Sequence, residues 1–262
     1  MADVLIFDRT DGVATLTLNR PDSMNSLSRD LKDALVAALA EAAADISVRA
    51  VVLTGTGRGF CVGQDLAEHI SLLQAGDPAP LSTVREHYNP ITKSLIEMDK
   101  PVIAAVNGTA AGAGASFAFA CDLRIVSDQA KFLLAFAGVG LGLDSGVSWT
   151  LPRLIGVGRA TELALLAQPI TAEVAQQYGL TTSVLPPDQV LPAAQELAAR
   201  LASGPTVAYA AIKNAIRFSA THSLDESLEN EAIQQALAGA SEDHAAGVAG
   251  FVNKQKPVFV GR

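Results

Sequence analysis

The sequence predicts an α/β protein with a parallel sheet at its centre and a helical region at its C-terminal end. Ala50-Val51-Val52-Leu53-Thr54 and Val102-Ile103-Ala104-Ala105-Val106 are continuous apolar runs, the pattern of parallel strands covered on both faces. Helix-like stretches separate them from further strand candidates, and from Thr161 onward the signal is helical alone. With 262 residues, 49% hydrophobic and 18% charged, the chain can bury a full core as one globular domain with a helical appendage.

Taken in order, Val13-Ala14-Thr15-Leu16-Thr17-Leu18 alternates as a strand, and Asn19-Arg20-Pro21-Asp22 ends it. Ser28 has the chemistry of an N-cap for a helix through about Asp45, with Leu31, Leu35 and Leu39 at four-residue spacing. The two apolar strands each lead into a Gly-rich turn, Gly59-Phe60-Cys61-Val62-Gly63-Gln64-Asp65-Leu66 and Asn107-Gly108-Thr109-Ala110-Ala111-Gly112-Ala113-Gly114, and each turn precedes a helix-like run. Leu123-Arg124-Ile125-Val126 and Phe132-Leu133-Leu134 give two more strands. Helices are expected over Thr161 to Ala167, Thr171 to Tyr178, Gln189 to Ala202, Thr206 to Ser219 and Leu224 to Ala238.

Composition narrows the function classes. A formal net charge of -8 disfavours nucleic acid and anionic membranes as partners, since both need a basic surface. Met1 to Arg9 lacks the pattern of a signal peptide, and no uncharged apolar run reaches the ~20 residues of a membrane span, so a cytoplasmic protein is expected. Cys61 and Cys121 read as small buried apolar residues. His69, His87, His222 and His244 show no metal-ligand spacing, and no metal is expected. Gly55-Thr56-Gly57-Arg58-Gly59 and Gly156-Val157-Gly158 lack the full dinucleotide spacing. Gly114-Ala115-Ser116-Phe117-Ala118 lacks the second glycine of a nucleophile elbow, so Ser116 reads as a helix residue.

What remains is the pair of turns and one acid. Two turns that each aim a backbone N–H into one pocket can hold a developing oxyanion, which points to chemistry on a carbonyl or thioester. Asp144 is the one ionisable side chain in Gly138 to Trp149, among small and apolar residues. Two readings stand: a base whose pKa is raised by desolvation, or the cap of a helix starting near Ser145.

Several motifs in order now carry a resemblance: Leu18-Asn19-Arg20-Pro21, Met24-Asn25-Ser26-Leu27, both turns, Cys121-Asp122, Leu151-Pro152-Arg153-Leu154 and Lys254-Gln255-Lys256-Pro257-Val258-Phe259. Over essentially its whole length the chain resembles the crotonase superfamily, the enoyl-CoA hydratase/isomerase family. The resemblance implies a spiral of ββα units over residues 1–200 and a helical oligomerisation region over 201–262, forming trimers or dimers of trimers. It implies an acyl-CoA ligand, with coenzyme A part of the substrate and no separate cofactor. The thioester-holding N–H groups match Val62 and Ala113, and Phe60, Gly63, Gln64, Asp65, Gly112 and Gly114 fall around the substrate. Asp65 also reads as the cap of the helix that follows it. Phe136 and Trp149 are candidates for an apolar acyl wall, or plain core. Lys254 and Lys256 are candidates for CoA phosphates, or solvated surface.

The two glutamates of the family's hydratases fall on Ser116 and Phe136, which cannot do their acid–base work. With Asp144, the two turns look most like the ring-epoxide phenylacetyl-CoA isomerase branch, in which an aspartate matching Asp144 sits at the reacting carbons. An isomerase is therefore expected. The alternatives are an enoyl-CoA hydratase, an aryl-CoA dehalogenase that uses the Asp144 position as nucleophile together with a histidine, for which His87 is not clearly placed, and a non-catalytic CoA-binding protein.

Overall fold

The computed structural model describes residues 3–262. Strands β1 (Leu5–Thr10) and β2 (Val13–Leu18) form a hairpin. Helix α1 (Arg29–Ala44) starts where Ser28 Oγ accepts a hydrogen bond from Leu31 N–H, and it buries Leu31, Leu35 and Leu39. A β-β-helix unit follows, made of β3 (Ala50–Gly55), β4 (Gly59–Cys61) and α2 (Leu66–Gln74). A π-helical stretch, Val84–Tyr88, runs into α3 (Asn89–Glu97), and the unit then recurs as β5 (Val102–Val106), β6 (Thr109–Ala111) and α4 (Ala113–Ala120). It recurs again as β7 (Leu123–Ser127), β8 (Lys131–Leu133) and α5 (Val147–Ile155). The remainder is α6 (Val157–Leu166), β9 (Ile170–Thr171), α7 (Ala172–Gln177), β10 (Ser183–Leu185), α8 (Pro187–Ala202), α9 (Thr206–Ser219), α10 (Leu224–Gly239) and α11 (Glu242–Asn253).

In each unit the first strand joins one sheet and the second joins another. The larger sheet has the order β1-β2-β3-β5-β7-β10, parallel except for the β1-β2 hairpin. The smaller has the order β4-β6-β8-β9, parallel until β9 closes it antiparallel. The chain thus winds as the expected ββα spiral, and its continuous apolar runs have a direct cause. Val51, Leu53, Val102, Ala104 and Val106 pack into the main core, while Ala50, Val52, Ile103 and Ala105 pack against Val190, Ala194 and Ala198 of α8 on the other face.

Two stretches that read as turns each contain a short strand, β4 and β6. Three residues begun or preceded by glycine are too short to show a period, so the pairing of β4 with β6, and of β6 with β8, defines them. Strand β1 escapes sequence reading because it is an edge strand carrying Asp8 and Arg9, with only its partner β2 beside it.

The two unit connections lie against each other with no room for side chains. A Cβ on Gly108 would fall 2.1 Å from Arg58 O, and one on Gly114 would fall 2.1 Å from Cys61 O. Both neighbours are backbone and cannot swing aside.

The C-terminal helices are pinned by partly buried polar contacts. Lys213 of α9 donates to Asp122 Oδ2 at 2.6 Å, and the same oxygen accepts from Val102 N–H at 2.8 Å. Arg49 donates to Thr206 Oγ1 at 3.0 Å and to Phe259 O at 3.1 Å. Helices α9 and α10 leave Ile212, Ile216, Leu228 and Leu237 exposed. Among the described residues, no helix is long and apolar enough to cross a membrane.

Gly114→Ala is expected to destabilise the fold by about 1–3 kcal/mol or more, because the added methyl overpacks against backbone. Gly158→Ala, in α6 with open space where the methyl would go, should leave stability unchanged or raise it by up to about 1 kcal/mol. Urea denaturation of both variants checks the contrast.

Candidate active site

The site forms where the two strand-to-helix turns meet. After β4 the chain passes Val62 and reverses at Gly63, whose φ is +85°. Gly63 O accepts from Leu27 N–H at 2.8 Å, and Asp65 N–H donates to Leu27 O at 3.4 Å. Backbone groups alternate along such a bridge, so the Gln64 N–H between them faces away from Leu27. After β6 the chain turns at Gly112, with φ +51°, and α4 begins at Ala113. The Gly112 N–H is used by Leu133 O at 2.9 Å, whereas those of Val62, Gln64 and Ala113 donate to no described residue.

The two turns touch, since a Cβ on Gly63 would lie 3.0 Å from Ala111 O and 3.4 Å from Ala113 N. Unshared N–H groups from both turns, with the positive end of the fully buried helix α4 behind Ala113, make a place suited to a partly negative oxygen. They open on a cavity of about 660 Å³ that is mostly apolar. Such a size suits a small-molecule ligand.

Asp144 is the one carboxylate among the described residues lining this cavity. Its side chain does not cap α5; that helix begins at Val147 after Gly146, and the carboxylate instead accepts from Ser145 Oγ at 2.8 Å. Burial pushes the Asp144 carboxyl above the ordinary aspartate value, and the Ser145 hydroxyl only partly opposes this. The corner is strained and braced: Ser145 is a fully buried non-glycine residue at φ +53°, and Thr92 Oγ1 of α3 donates to its carbonyl at 3.0 Å.

The remaining sequence-derived site residues divide. Val62, Gly63, Gln64, Gly112, Ala113 and Phe136 line the cavity together with Asp144. Phe60 is fully buried in the core, Gly114 packs on Cys61 O, and neither lines it. The Asp65 carboxylate accepts from Ala67 N–H at 3.1 Å and Glu68 N–H at 3.2 Å, capping α2, and pairs with Arg20 at 2.8 Å. Burial alone would raise that carboxyl, but Arg20 with the Glu68 N–H and the Ser26 hydroxyl outweighs it and holds it below the ordinary value. Asp65 therefore acts on the turn and not on the cavity. Trp149 sits on α5 away from the cavity, with the Arg153 guanidinium 4.1 Å from its ring centroid. Ser116 is buried and donates to Gly112 O at 2.9 Å.

Other candidates stand apart from this chemistry. His87 bridges Asp33 (2.9 Å) and Thr83 (3.2 Å) and does not line the cavity. Burial pushes the thiols of Cys61 and Cys121 each up to about 12, where they stay protonated. Lys254 and Lys256 are exposed. Sequence reading missed His69 and Tyr88, which line the cavity from α2 and from the π-helical stretch. His69 stands four residues after the Asp65 cap, one turn into α2, which is its only sequence signal.

Residues 8–262 match the family model described as enoyl-CoA hydratase/isomerase. The chain is 41% identical to the 1,2-epoxyphenylacetyl-CoA isomerase of Escherichia coli K12, over all of both chains. It is 36% identical to the 2,3-dehydroadipyl-CoA hydratase of the same organism, over 98% of this chain and 99% of that one. A crystal structure from Mycobacterium abscessus, described as an enoyl-CoA hydratase/isomerase, superposes with a TM-score of 0.95 at 44% identity, covering 98% of this chain and 100% of the other.

The raised Asp144 pKa has a definite sign for stability. The folded protein holds this proton to a higher pH than the unfolded chain, so ionisation counts against folding as pH rises from the unfolded value of 3.8 through the raised folded one. Asp144→Asn should therefore be more stable than wild type at pH 7, with the difference narrowing on acidification. Urea midpoints of both proteins from pH 7 downward measure it.

Proposed function

Because the chain belongs to the enoyl-CoA hydratase/isomerase family, we propose that it is an isomerase that moves a proton, and with it a double bond, in the acyl group of an acyl-CoA thioester. The observation that carries this reading is the acid–base inventory of the cavity. It offers one carboxylate, Asp144, beside the His69 imidazole and the Tyr88 phenol; at the places where a hydratase would set its two glutamates, Ser116 is engaged by Gly112 O and Phe136 is apolar. One base suffices for an allylic shift, whereas hydration needs a base for the water and an acid for the carbon.

In a 3-enoyl-CoA, the thioester oxygen lies between the Ala113 N–H and the unshared N–H groups of the first turn, Val62 and Gln64. These stabilise the enolate formed when Asp144 takes a proton from C2; loss of one such donor costs about 3 kcal/mol in other enzymes. Asp144 returns the proton to C4, the double bond moves to C2–C3, and no water is consumed. Coenzyme A is part of the substrate and no further cofactor enters. The identity to a 1,2-epoxyphenylacetyl-CoA isomerase supports a ring-derived acyl group as well as an aliphatic one, in phenylacetate degradation or fatty acid metabolism. The enzyme would act in the cytoplasm, as a trimer or a dimer of trimers, and the exposed apolar faces of α9 and α10 support that assembly. Light scattering should then give three or six times the 27.1 kDa chain mass.

Asp144→Asn should lower kcat on a 3-enoyl-CoA by about 10²- to 10⁴-fold while changing the Kd of an unreactive acyl-CoA less than about threefold. In the wild type, kcat/KM should fall on the acid side with a midpoint above 3.8, since Asp144 must be ionised to accept the proton. Rapid hydration of crotonyl-CoA without double-bond migration overturns the isomerase reading, and an unchanged rate in Asp144→Asn removes Asp144 from it.

A further inference from the structure

A second apolar cavity adjoins the one that holds Asp144. Its volume is about 370 Å³, and Leu143, Val147, Leu151, Ala160, Ala164 and Leu165 line it where α6 packs on α5. The space exists because Ala160 and Ala164, one turn apart on α6, carry only methyl groups there. No charged side chain among the described residues lines it. Phe136 and Leu141 line both cavities, so these two side chains are the partition between them. The Phe136 carbonyl accepts from Val139 N–H at 3.1 Å and from Leu141 N–H at 2.9 Å, which ties the two wall residues into one turn. Outside that turn little packs: Cβ atoms built on Gly138, Gly140 and Gly142 would have no neighbour within 4 Å. A wall carried on such a turn yields to a chain pressing on it at little cost in packing.

We infer that the second cavity receives the distal end of the acyl group, and that Phe136 and Leu141 set the chain length at which a substrate enters it. The substrate class is a straight-chain acyl thioester long enough to pass the partition. A chain whose thioester oxygen sits at the Ala113 N–H meets mostly apolar lining in the first cavity and uncharged lining in the second, with one shared wall to cross. An aliphatic tail suits that lining, since it needs no polar partner and covers Leu143 and Leu165, which are exposed on their own. The hydroxyls of Ser148 and Thr161 are also part of the lining, but both residues are exposed and reach water without a ligand. This inference rests on the acyl-CoA reading of the first cavity.

Calorimetric Kd values for butyryl-, octanoyl- and dodecanoyl-CoA, which carry no double bond to move, test it. Each methylene taken from water to apolar surface is worth about fourfold in affinity, so the wild type should bind dodecanoyl-CoA at least about tenfold more tightly than octanoyl-CoA. Thr161→Phe and Ala164→Leu add bulk to the second cavity and not to the first; each should cut that gain to about threefold or less and leave the Kd of butyryl-CoA within about threefold. Thr161 is exposed, so its variant should keep the wild-type thermal midpoint. Leu141→Ala lowers the partition and should widen the gain. Equal binding of octanoyl- and dodecanoyl-CoA by the wild type, an undiminished gain in Thr161→Phe, a narrowed gain in Leu141→Ala, or the same loss for butyryl- and dodecanoyl-CoA overturns the inference. So does a changed mass of Thr161→Phe in light scattering with the gain intact, which assigns the cavity to a second copy of the chain. Failure of all three thioesters to bind the wild type overturns the acyl-CoA reading, and this inference with it.

Discussion

Backbone meets backbone between the two unit connections, and the rest of the site depends on that approach. Gly108 lies on Arg58 O, Gly114 on Cys61 O, and Gly63 on Ala111 O, at separations that admit no Cβ without displacement. Strand β4 can pair with β6 only at this distance, and the pairing brings the first turn to the N-terminus of α4. Donors that belong to strands more than forty residues apart then face one cavity without any side chain reaching for it. Backbone donors held this way need no reorganisation when charge develops, which is where electrostatic stabilisation is most effective.

Side chains around the turns divide between those that brace them and those that face the cavity. Asp65 and Arg20 stiffen the first turn, with Asp65 capping α2 while Ser26 and Arg20 share its other oxygen. Asn25 does the same for the strand before it, donating to Gly59 O at 2.8 Å and accepting from Arg20 N–H at 2.8 Å. Asp144 stands on the other side, at a corner whose strained Ser145 is tied to α3 through Thr92. A carboxylate near apolar walls with one hydroxyl partner is a better base than a solvated one, at some cost in stability.

The helical C-terminal region connects to the site through polar anchors and not through a continuous apolar core. Asp122, directly after α4, receives Lys213 from α9, so the end of the helix that presents Ala113 is fixed to the region with the exposed apolar faces. Burial would raise the Asp122 carboxyl most, and Lys213, Val102 N–H and Arg124 offset only part of that. Removing the lysine would leave a partly buried carboxylate without its partner, a worse arrangement than the pair itself.

Local pattern determined much of this. Alternation in Val13–Leu18, two-sided apolar runs at Ala50 and Val102, the Ser28 cap and the periodic helices after Thr161 all follow from spacing and residue type, so they were legible without the fold. The motifs around both turns, the lone Asp144, and the lack of acids at Ser116 and Phe136 were legible too. Tertiary structure alone decided which of these meet. It used Asp65 as a cap, took Trp149 and Phe60 out of the cavity, freed Asp144 from capping, exposed an unshared Gln64 N–H beside those of Val62 and Ala113, and brought in His69 and Tyr88. The reason is physical: spacing along a chain fixes which face of an element a residue occupies, but which faces converge is set by the pairing of β4 with β6 and the packing of α4 on that pair and of α3 and α5 on α4, contacts between residues far apart in sequence.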